Sequence, residues 1–385
     1  MTGVIFDPTQ NDIHEELRIE IGKRNLEAVL DPKIMELASL GGFSGQRTNL
    51  PWAGKRRHVP ADLGGRSADA VADVIAQFVA LHGYSAVLAP SHYLENGAEG
   101  QWCDVDSQLT IKLRDRLDKA GCKEVAIFYP FATSTKVFYD PAQRRKLKDV
   151  LCNLPIDQLW LRVQLFGSSS GHLTLRRYIE ACRDLHALPF PLIAEKTGNI
   201  GLALLAFGAV GGIDSGVSSG ERFDFRRLTR ESNPGPKFGP HQRIYIPTLG
   251  LFLPRDSARS FFAHRTLKAN FACVNTDCCR RGADSMIADP RRHFVLTRMG
   301  EVSSLSNLPP TLRPTEYLER VLRPATDKLG RAMQYDLDGT LKNTLEKTRR
   351  KLDGWRDTLG EMSRTQPAIT LSKVPVRRIV RLKSA

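Results

Sequence analysis

The stretch "SADAVADVIAQFVALHGYSAVLAP" (67–90) places a helix directly before a strand. Apolar side chains recur at helical spacing in its first part: Val71, Val74, Ile75, Phe78 and Leu81. Ser67 is a candidate N-cap, and Gly83 is a candidate stop for this helix. The apolar segment 84–90 that follows predicts a short buried strand. This helix–strand pair is the unit from which the fold is predicted.

The same alternation continues along the chain as far as residue 216. Four further strands are predicted, at "EVAIFYP" (124–130), "DQLWLRVQLFG" (157–167), "FPLIAE" (190–195) and "AVGGIDSG" (209–216). Helical patterns separate them, at 106–121, 141–155, 174–188 and 199–208. Such alternation is typical of a parallel sheet covered by helices.

The number of units favours a closed (β/α)8 barrel of the TIM type. We expect the first strand within 33–40 and further strands at 243–253 and 270–274. An open doubly wound sheet is the alternative, although no G-x-G-x-x-G sequence follows a predicted strand. The barrel is predicted over residues 1–312 and includes a cysteine-rich segment at 270–301.

Two segments fall outside this alternation. Residues 216–242 are polar and rich in Gly and Pro, which predicts a long loop on the active-site face of a barrel. Residues 313–385 are predicted to form a helical, basic extension with one apolar stripe: Leu341, Leu345, Leu352, Trp355, Leu359 and Met362. Its tail, 374–385, carries four basic and no acidic side chains. The extension is therefore either a docked helix with a solvated tail or a clamp on nucleic acid.

The overall charge favours a polyanionic partner. The chain has 56 Lys and Arg against 42 Asp and Glu, a net charge of +14. Nucleic acid is the expected partner because basic surfaces gain binding energy from released counterions; a generally basic protein is the alternative. The acidic N-terminal sequence is not typical of a signal peptide, and no apolar run is long enough to cross a bilayer. We therefore expect a soluble cytoplasmic protein that does not enter membranes.

Polar residues at the carboxyl ends of the predicted strands are the candidate site residues, since these ends converge in a parallel barrel. Asp214 ends the sixth strand, and Asp104 and Asp106 follow the second. One carboxylate is a candidate nucleophile and another a candidate general base, although Asp106 could instead cap its helix. The candidate substrate-binding residues are His92, Tyr93, Tyr129, Arg162, Gln164 and Glu195.

The segment "CVNTDCCRRGADSMIADPRRH" (273–293) contains a candidate metal site. Its four potential ligands are Cys273, Cys278, Cys279 and His293, which we call the metal-ligand group. Three thiolates and one imidazole are a usual ligand set of closed, structural zinc. The spacing C-x4-C-C-x13-H is irregular, so reduced cysteines without a metal are the alternative.

Three segments in this order resemble the tRNA-guanine transglycosylases, the queuine and archaeosine tRNA-ribosyltransferases. "GYSAVLAPSHYL" (83–94) is similar to that family's G-A-D-x-x-L-x-N-T-Y-H-L, and "AFGAVGGIDSGVSSGERF" (206–223) resembles its A-x-G-A-D-x-F-D. The metal-ligand group and "HFVLTRMGE" (293–301) occupy the place of the family's C-x-C-x2-C…H zinc site. The chain lacks the family's D-S-G-G-F-Q string, so it would be a divergent member.

The resemblance implies a (β/α)8 barrel that exchanges guanine in nucleic acid for a 7-deazaguanine. Asp214 would attack C1′ of the ribosyl group and form a covalent glycosyl-enzyme, and Asp106 would be the second, base-side carboxylate. Zinc would be structural. The family includes a branch that modifies DNA, so both DNA and tRNA are candidate substrates.

Two other classes of function remain open. The first is a non-catalytic basic barrel that binds DNA or RNA as a subunit of a larger modification or defence assembly. The second is an unrelated barrel hydrolase or lyase that acts on a small phosphorylated substrate; no glycine-rich phosphate loop supports it.

Overall fold

A parallel sheet forms the centre of the computed structural model, which describes residues 2–216, 222–231, 242–365 and 371–376. Its seven strands pair in chain order: β1 Gly3–Phe6, β2 Glu27–Leu30, β3 Ala86–Leu88, β5 Ala126–Thr133, β6 Gln158–Val163, β7 Leu192–Glu195 and β8 Gly212–Asp214. The short strand β4, Tyr93–Leu94, pairs only with β5. Every pairing in this sheet is parallel. The predicted mixed α/β class is therefore confirmed.

Helices connect these strands and cover one face of the sheet. They are α1 Glu15–Lys23, α2 Ile34–Leu37, α3 Gly65–His82, α4 Gln101–Lys119, α5 Thr135–Tyr139, α6 Pro141–Leu151, α7 His172–Leu185 and α8 Ile200–Ala206. Gly83 ends α3 in a left-handed conformation, and the Asp140 carboxylate caps α6 by accepting from two backbone N–H groups. The helices predicted at 67–83, 106–121, 141–155, 174–188 and 199–208 are confirmed with shifted ends.

The sheet is curled into a half-barrel. Three strand steps separate β2 from β6, which is about 14 Å in a flat sheet. The Arg162 guanidinium on β6 nevertheless lies 3.7 Å from the carboxylate of Asp31, the residue after β2. Six strands also contribute to one small apolar cluster, which includes Val29, Phe128 and Trp160. This cluster fills the concave side, while the helices enclose a larger core on the other side.

Two predicted strands are wrong, and a third segment forms two strands outside the parallel sheet. Residues 33–40 contain the helix α2, and the first two strands precede it; each has only four residues, too few to show a periodic pattern. Residues 243–253 form an antiparallel hairpin, β9 Arg243–Ile246 and β10 Leu251–Pro254, because Pro247 and the left-handed Gly250 reverse the chain. Residues 270–274 begin at the end of a helix. The described residues thus form a row of seven neighbouring parallel strands, and a closed eight-stranded barrel is not found among them.

The remaining described chain is helical. Its helices are α9 Arg255–Ala263, α10 Arg265–Phe271, α11 Ala283–Ala288, α12 Pro290–Ser306, α13 Arg313–Glu316, α14 Arg323–Ala332 and α15 Gly339–Thr365, with a π-helical turn at Tyr317–Leu322. The predicted apolar stripe is buried along α15. None of the described helices combines the length and apolar character that a membrane span requires.

Helix α15 docks on the loop between β6 and α7. The indole N–H of Trp355 donates to the Ser170 carbonyl at 3.0 Å, and the Lys351 ammonium donates to the Ser168 carbonyl at 2.7 Å. Further along, the Ser372 backbone N–H donates to the Gly208 carbonyl at 2.9 Å. The helical extension thus contacts the sheet-bearing part of the chain. The division at residue 312 stays a prediction, and positions 377–385 of the predicted tail lie outside the described residues.

Candidate functional site

Five charged residues meet at the carboxyl edge of the sheet and form what we call the rim group: Asp31, Arg162, Glu195, Lys196 and Asp214. The Arg162 Nε donates to the Glu195 carboxylate. The Lys196 ammonium lies 3.5 Å from the other Glu195 oxygen. Asp31, Arg162 and Glu195 are buried, so each charge depends on its partners for stabilisation.

Lys33 extends the rim group on the β2 side. Its ammonium lies 2.9 Å from Asp31 and 3.7 Å from Asp7. Burial tends to raise the pKa of Asp31. The positive charges of Lys33 and Arg162 nevertheless hold this pKa well below its usual value. Asp31 is therefore a permanent anion that anchors Arg162.

Asp214 differs from the other two acidic residues of the rim group because the residue as a whole is partly exposed. In the sheet register it lies opposite Glu195. Burial of its carboxyl group and the negative charge of Glu195 raise the pKa of Asp214 to about 7, against the opposing effect of Lys196 and Arg162. Among the described residues its side chain has no hydrogen-bond or ion-pair partner. A carboxyl group that titrates near neutral pH can act as a nucleophile or as an acid–base group.

A second group of side chains consists of His92 after β3, Tyr129 on β5 and Asp106 on α4. Asp106 is fully buried, and one of its oxygens lies 2.5 Å from Nδ1 of His92 while the other accepts the His92 backbone N–H at 2.8 Å. The Tyr129 hydroxyl also hydrogen-bonds Asp106. Burial raises the pKa of Asp106, although His92 and Tyr129 counteract this. The indole of Trp102 stacks on the imidazole with ring centroids 3.6 Å apart.

Residues 222–231, which we call the strap, cross the carboxyl edge of the sheet. The Gln164 side chain donates to Asp224 at 2.9 Å and accepts the Phe225 backbone N–H at 2.7 Å. At the other side the ring of Phe225 stacks on Tyr93, with centroids 4.2 Å apart, and the Leu228 carbonyl accepts the Gly41 N–H. The described part of the predicted loop 216–242 therefore does lie at this edge; positions 217–221 and 232–241 are outside the described residues.

The predicted site residues thus separate into three sets. Arg162, Glu195 and Asp214 belong to the rim group, and His92, Tyr129 and Asp106 form the second group. Tyr93 and Gln164 hold the strap. No contact between the side chains of Asp106 and Asp214 is found among the described residues. The expectation that Asp106 could cap its helix is wrong, because α4 begins at Gln101 and places Asp106 in its second turn.

Some site residues were not predicted from the sequence. Asp31 and Lys33 were missed because the four-residue strand β2 was not recognised; the sequence "AVLDP" (28–32), an apolar run ending in Asp-Pro, is the signal that could have identified it. Trp102 was missed because it lies in the first turn of α4, before the predicted start of that helix. Asp104, which was singled out, is exposed on α4 and belongs to neither group.

The metal-ligand group is assembled as the sequence predicts. One ligand atom from each of its four residues lies within 4.8 Å of the others. Nδ1 of His293 is 3.4 Å from the Cys278 sulfur and 3.3 Å from the Cys279 sulfur, and these sulfurs are 3.5 Å apart. A tetrahedral ion with metal–sulfur bonds of about 2.3 Å separates its ligands by roughly 3.5–3.8 Å. The group can therefore bind a metal ion.

The surroundings of His293 favour coordination through Nδ1. Its Nε2 lies 3.0 Å from the Tyr245 carbonyl, which can only accept, so the ring proton resides on Nε2 and the lone pair of Nδ1 faces the sulfurs. Burial lowers the pKa of His293 and keeps the imidazole neutral. Burial also raises the pKa of the Cys278 and Cys279 thiols, so a bound cation is needed to keep them as thiolates.

A chain of contacts joins the metal-ligand group to the carboxyl edge of the sheet. Arg298, on the same helix as His293, lies over the Tyr245 ring at 5.2 Å. Its guanidinium donates to the side chain of Asn199, three residues after Lys196. The Asn199 backbone N–H in turn donates to Ser168 at 2.8 Å. A metal held at His293 would thus brace the loops that follow β6 and β7.

The raised pKa of Asp214 leads to a prediction about stability. The ionised carboxylate destabilises the folded chain, so the penalty is absent below the usual value of 3.8, develops as pH rises, and is complete above about 7. We expect Asp214→Asn to raise the melting temperature at pH 8 and to give little gain at pH 4. Thermal unfolding across this range, with the exposed Asp115→Asn as control, measures the difference; a lower melting temperature at pH 8 would contradict the assigned environment.

The metal-ligand group predicts about one equivalent of bound metal per chain. We expect Cys279→Ser to reduce this to less than half an equivalent, because three ligands hold the ion more weakly than four. Elemental analysis of the purified protein measures both, and Cys152→Ser, at an exposed cysteine, is the matched control. Equal metal content in the Cys279 variant and the parent would remove this group as the site.

Comparison with known proteins does not assign the chain to a family. No protein-family model matches the chain, and a search of curated proteins found no match either. The roles of the residues described above therefore have to be inferred from their own chemistry and geometry.

Proposed function

We propose that the chain is a transglycosylase-like enzyme that exchanges a guanine base in nucleic acid for a 7-deazaguanine. The observation that carries the proposal is the position of Asp214 in the rim group together with its raised pKa. Asp214 belongs to the rim group, the pKa of its carboxyl group is raised to about 7, and it ends a strand whose sequence resembles the nucleophile strand of the tRNA-guanine transglycosylases. A divergent member of that superfamily, including its DNA-modifying branch, fits these features.

The proposed reaction has two displacements at C1′ of the sugar. In the first, a carboxylate oxygen of Asp214 forms a bond to C1′, and the bond from C1′ to the guanine nitrogen breaks; that nitrogen takes a proton as guanine leaves. In the second, the incoming base loses a proton, its ring nitrogen bonds to C1′, and the Asp214 carboxylate is released. A pKa of about 7 leaves roughly half of the Asp214 groups ionised and nucleophilic at neutral pH.

The same proposal includes a closed (β/α)8 barrel. The curled parallel sheet and the meeting of Asp31 with Arg162 support closure. The eighth strand would be formed by residues other than those of the seven paired strands described above. In such a barrel the rim group occupies the face where catalytic residues collect.

We propose zinc as the ion of the metal-ligand group. Three thiolates and one imidazole suit zinc and complete a tetrahedral shell, which leaves no position for substrate. The ion would supply no catalytic chemistry. Its role would be to fix Tyr245 and the helix that carries His293, and through Arg298 the loop after β7.

A non-catalytic nucleic-acid-binding protein is the second candidate. The observation that favours it is the charge of the strap, whose arginines Arg222, Arg226, Arg227 and Arg230 are all exposed. Asp224, with its pKa held down by Arg226 and Gln164 against the effect of burial, lies among three of them. Such a surface can bind phosphates whether or not Asp214 reacts.

Base exchange tests the enzyme proposal directly. We expect the parent to incorporate labelled guanine into tRNA or into duplex DNA, and Asp214→Asn to lower the rate by at least about a thousand-fold, because the amide is not a nucleophile. Asp115→Asn, which removes an exposed carboxylate on α4, should leave the rate unchanged. Equal incorporation by the Asp214 variant would exclude this residue as nucleophile, and no incorporation by the parent would favour the binding-only candidate.

The strap predicts a change in the salt dependence of nucleic-acid binding. Removing two phosphate contacts with Arg226→Ala/Arg227→Ala should reduce the slope of log Kd against log salt by about 2. The control is Arg24→Ala/Lys119→Ala, which removes the same charge from the amino edge of the sheet, where α1 and α4 end. Fluorescence anisotropy at several salt concentrations measures the slopes; equal slopes for the two double variants would show that the strap does not contact phosphate.

A further inference from the structure

The imidazole of His92 has one buried nitrogen without a protein partner. The side chain is only 1% exposed, and Nε2 has no hydrogen-bond partner among the described residues. An unpartnered buried nitrogen costs free energy, which a ligand that donates a hydrogen bond to it would recover. Nδ1 is turned toward Asp106, and Nε2 is therefore on the opposite side of the ring.

Asp106 determines which nitrogen carries the proton. Its carboxylate accepts from Nδ1, so neutral His92 keeps its proton there and Nε2 presents a lone pair. The contact from the other oxygen to the His92 backbone N–H, together with the Tyr129 hydroxyl, fixes the carboxylate. This is the arrangement by which a buried Asp orients a general-base histidine and stabilises its imidazolium form. In the described part of the chain no nucleophile is found at Nε2, so we look to a ligand as the source of the proton.

His92 lines a cleft of about 410 Å³, within the usual size range of small-molecule sites. Its walls include the aromatic rings of Tyr93, Trp102 and Phe225 and the carboxylate of Glu95. Aromatic walls suit a planar ring, and acceptors such as the Glu95 carboxylate and Nε2 of His92 suit the N–H groups at its edge. The cleft therefore fits a nitrogen heterocycle of the purine or 7-deazapurine class.

We propose that His92 and Asp106 form a proton relay in which Nε2 takes a ring N–H proton from a heterocycle bound in this cleft. The N–H bond breaks, its electron pair stays on the ring nitrogen, and the proton bonds to Nε2. Asp106 stays ionised and balances the positive charge. In the exchange proposed above, on which this step rests, that nitrogen then bonds to C1′ and releases the Asp214 carboxylate; in reverse, the imidazolium protonates the departing guanine.

Nitrogen NMR of histidine-labelled protein tests the relay without requiring base exchange. His92→Gln assigns the His92 signals among the nine histidines. We expect an unprotonated Nε2 in the free parent and a shift toward a protonated nitrogen on saturation with 7-deazaguanine. A protonated Nε2 in the free protein, or no change of the His92 signals at saturation, would overturn the proposal.

Asp106→Asn is the sharpest variant because it keeps the shape of the side chain but reverses the hydrogen bond. The amide donates to Nδ1, so the proton moves to Nε2 and the base is lost. Base exchange should fall by about 10³–10⁴-fold in kcat with KM little changed. His186→Gln, a histidine that hydrogen-bonds the Ala209 carbonyl outside the cleft, should behave as the parent. If Asp106→Asn does not fold, His92→Gln and the titration of the parent decide the question.

The outcomes separate the relay from the exchange reaction. A parent that shows the 7-deazaguanine-dependent change at His92 but incorporates no base into tRNA or DNA supports the relay and rejects the exchange. A parent that exchanges bases, together with a His92→Gln variant that does so at the same rate, supports the exchange and rejects the relay.

Discussion

The carboxyl edge of the sheet depends on the ion pairs of the buried Arg162 guanidinium. The guanidinium joins Glu195 on the neighbouring strand to Asp31, three strands away. A buried cation without these anions would be strongly destabilising, whereas each anion also has a lysine nearby, Lys33 for Asp31 and Lys196 for Glu195. The pair of Arg162 with Asp31 therefore forms only when the sheet is curled. In the curled sheet Asp214 lies beside these charges, and burial of its carboxyl group together with the negative charge of Glu195 raises its pKa. The side chains that stabilise the curl of the sheet thus also shape the electrostatic environment of Asp214.

Much of the fold could be predicted because helices α3, α4, α6 and α7 are long enough to show an apolar period, and β5–β7 are apolar runs between them. The errors have a common physical cause. The strands β1 and β2 contain four residues each, and the hairpin at 243–254 is as apolar as a buried parallel strand. Apolar content alone does not distinguish a parallel strand from a hairpin strand. The direction of a strand and the strand with which it pairs are decided by tertiary packing.

The candidate site was predictable residue by residue but not as an arrangement. Strand ends identified Arg162, Glu195 and Asp214, and cysteine content identified the metal-ligand group. The sequence did not show that Asp106 points into the protein to hold His92, because this follows from where α4 begins. Nor did it show that Gln164 and Tyr93 serve the strap, since that contact joins residues about 60 positions apart and more. Long-range pairing of this kind leaves no local pattern.

The docking of α15 has a consequence for the order of synthesis. The loop between β6 and α7 receives hydrogen bonds from Lys351 and Trp355, which lie more than 180 residues later in the chain. Ser168 of that loop also accepts from Asn199 beside the rim group. A nascent chain therefore carries all seven strands well before it can secure this loop. This loop, which lies beside the rim group, is secured only after α15 has left the ribosome.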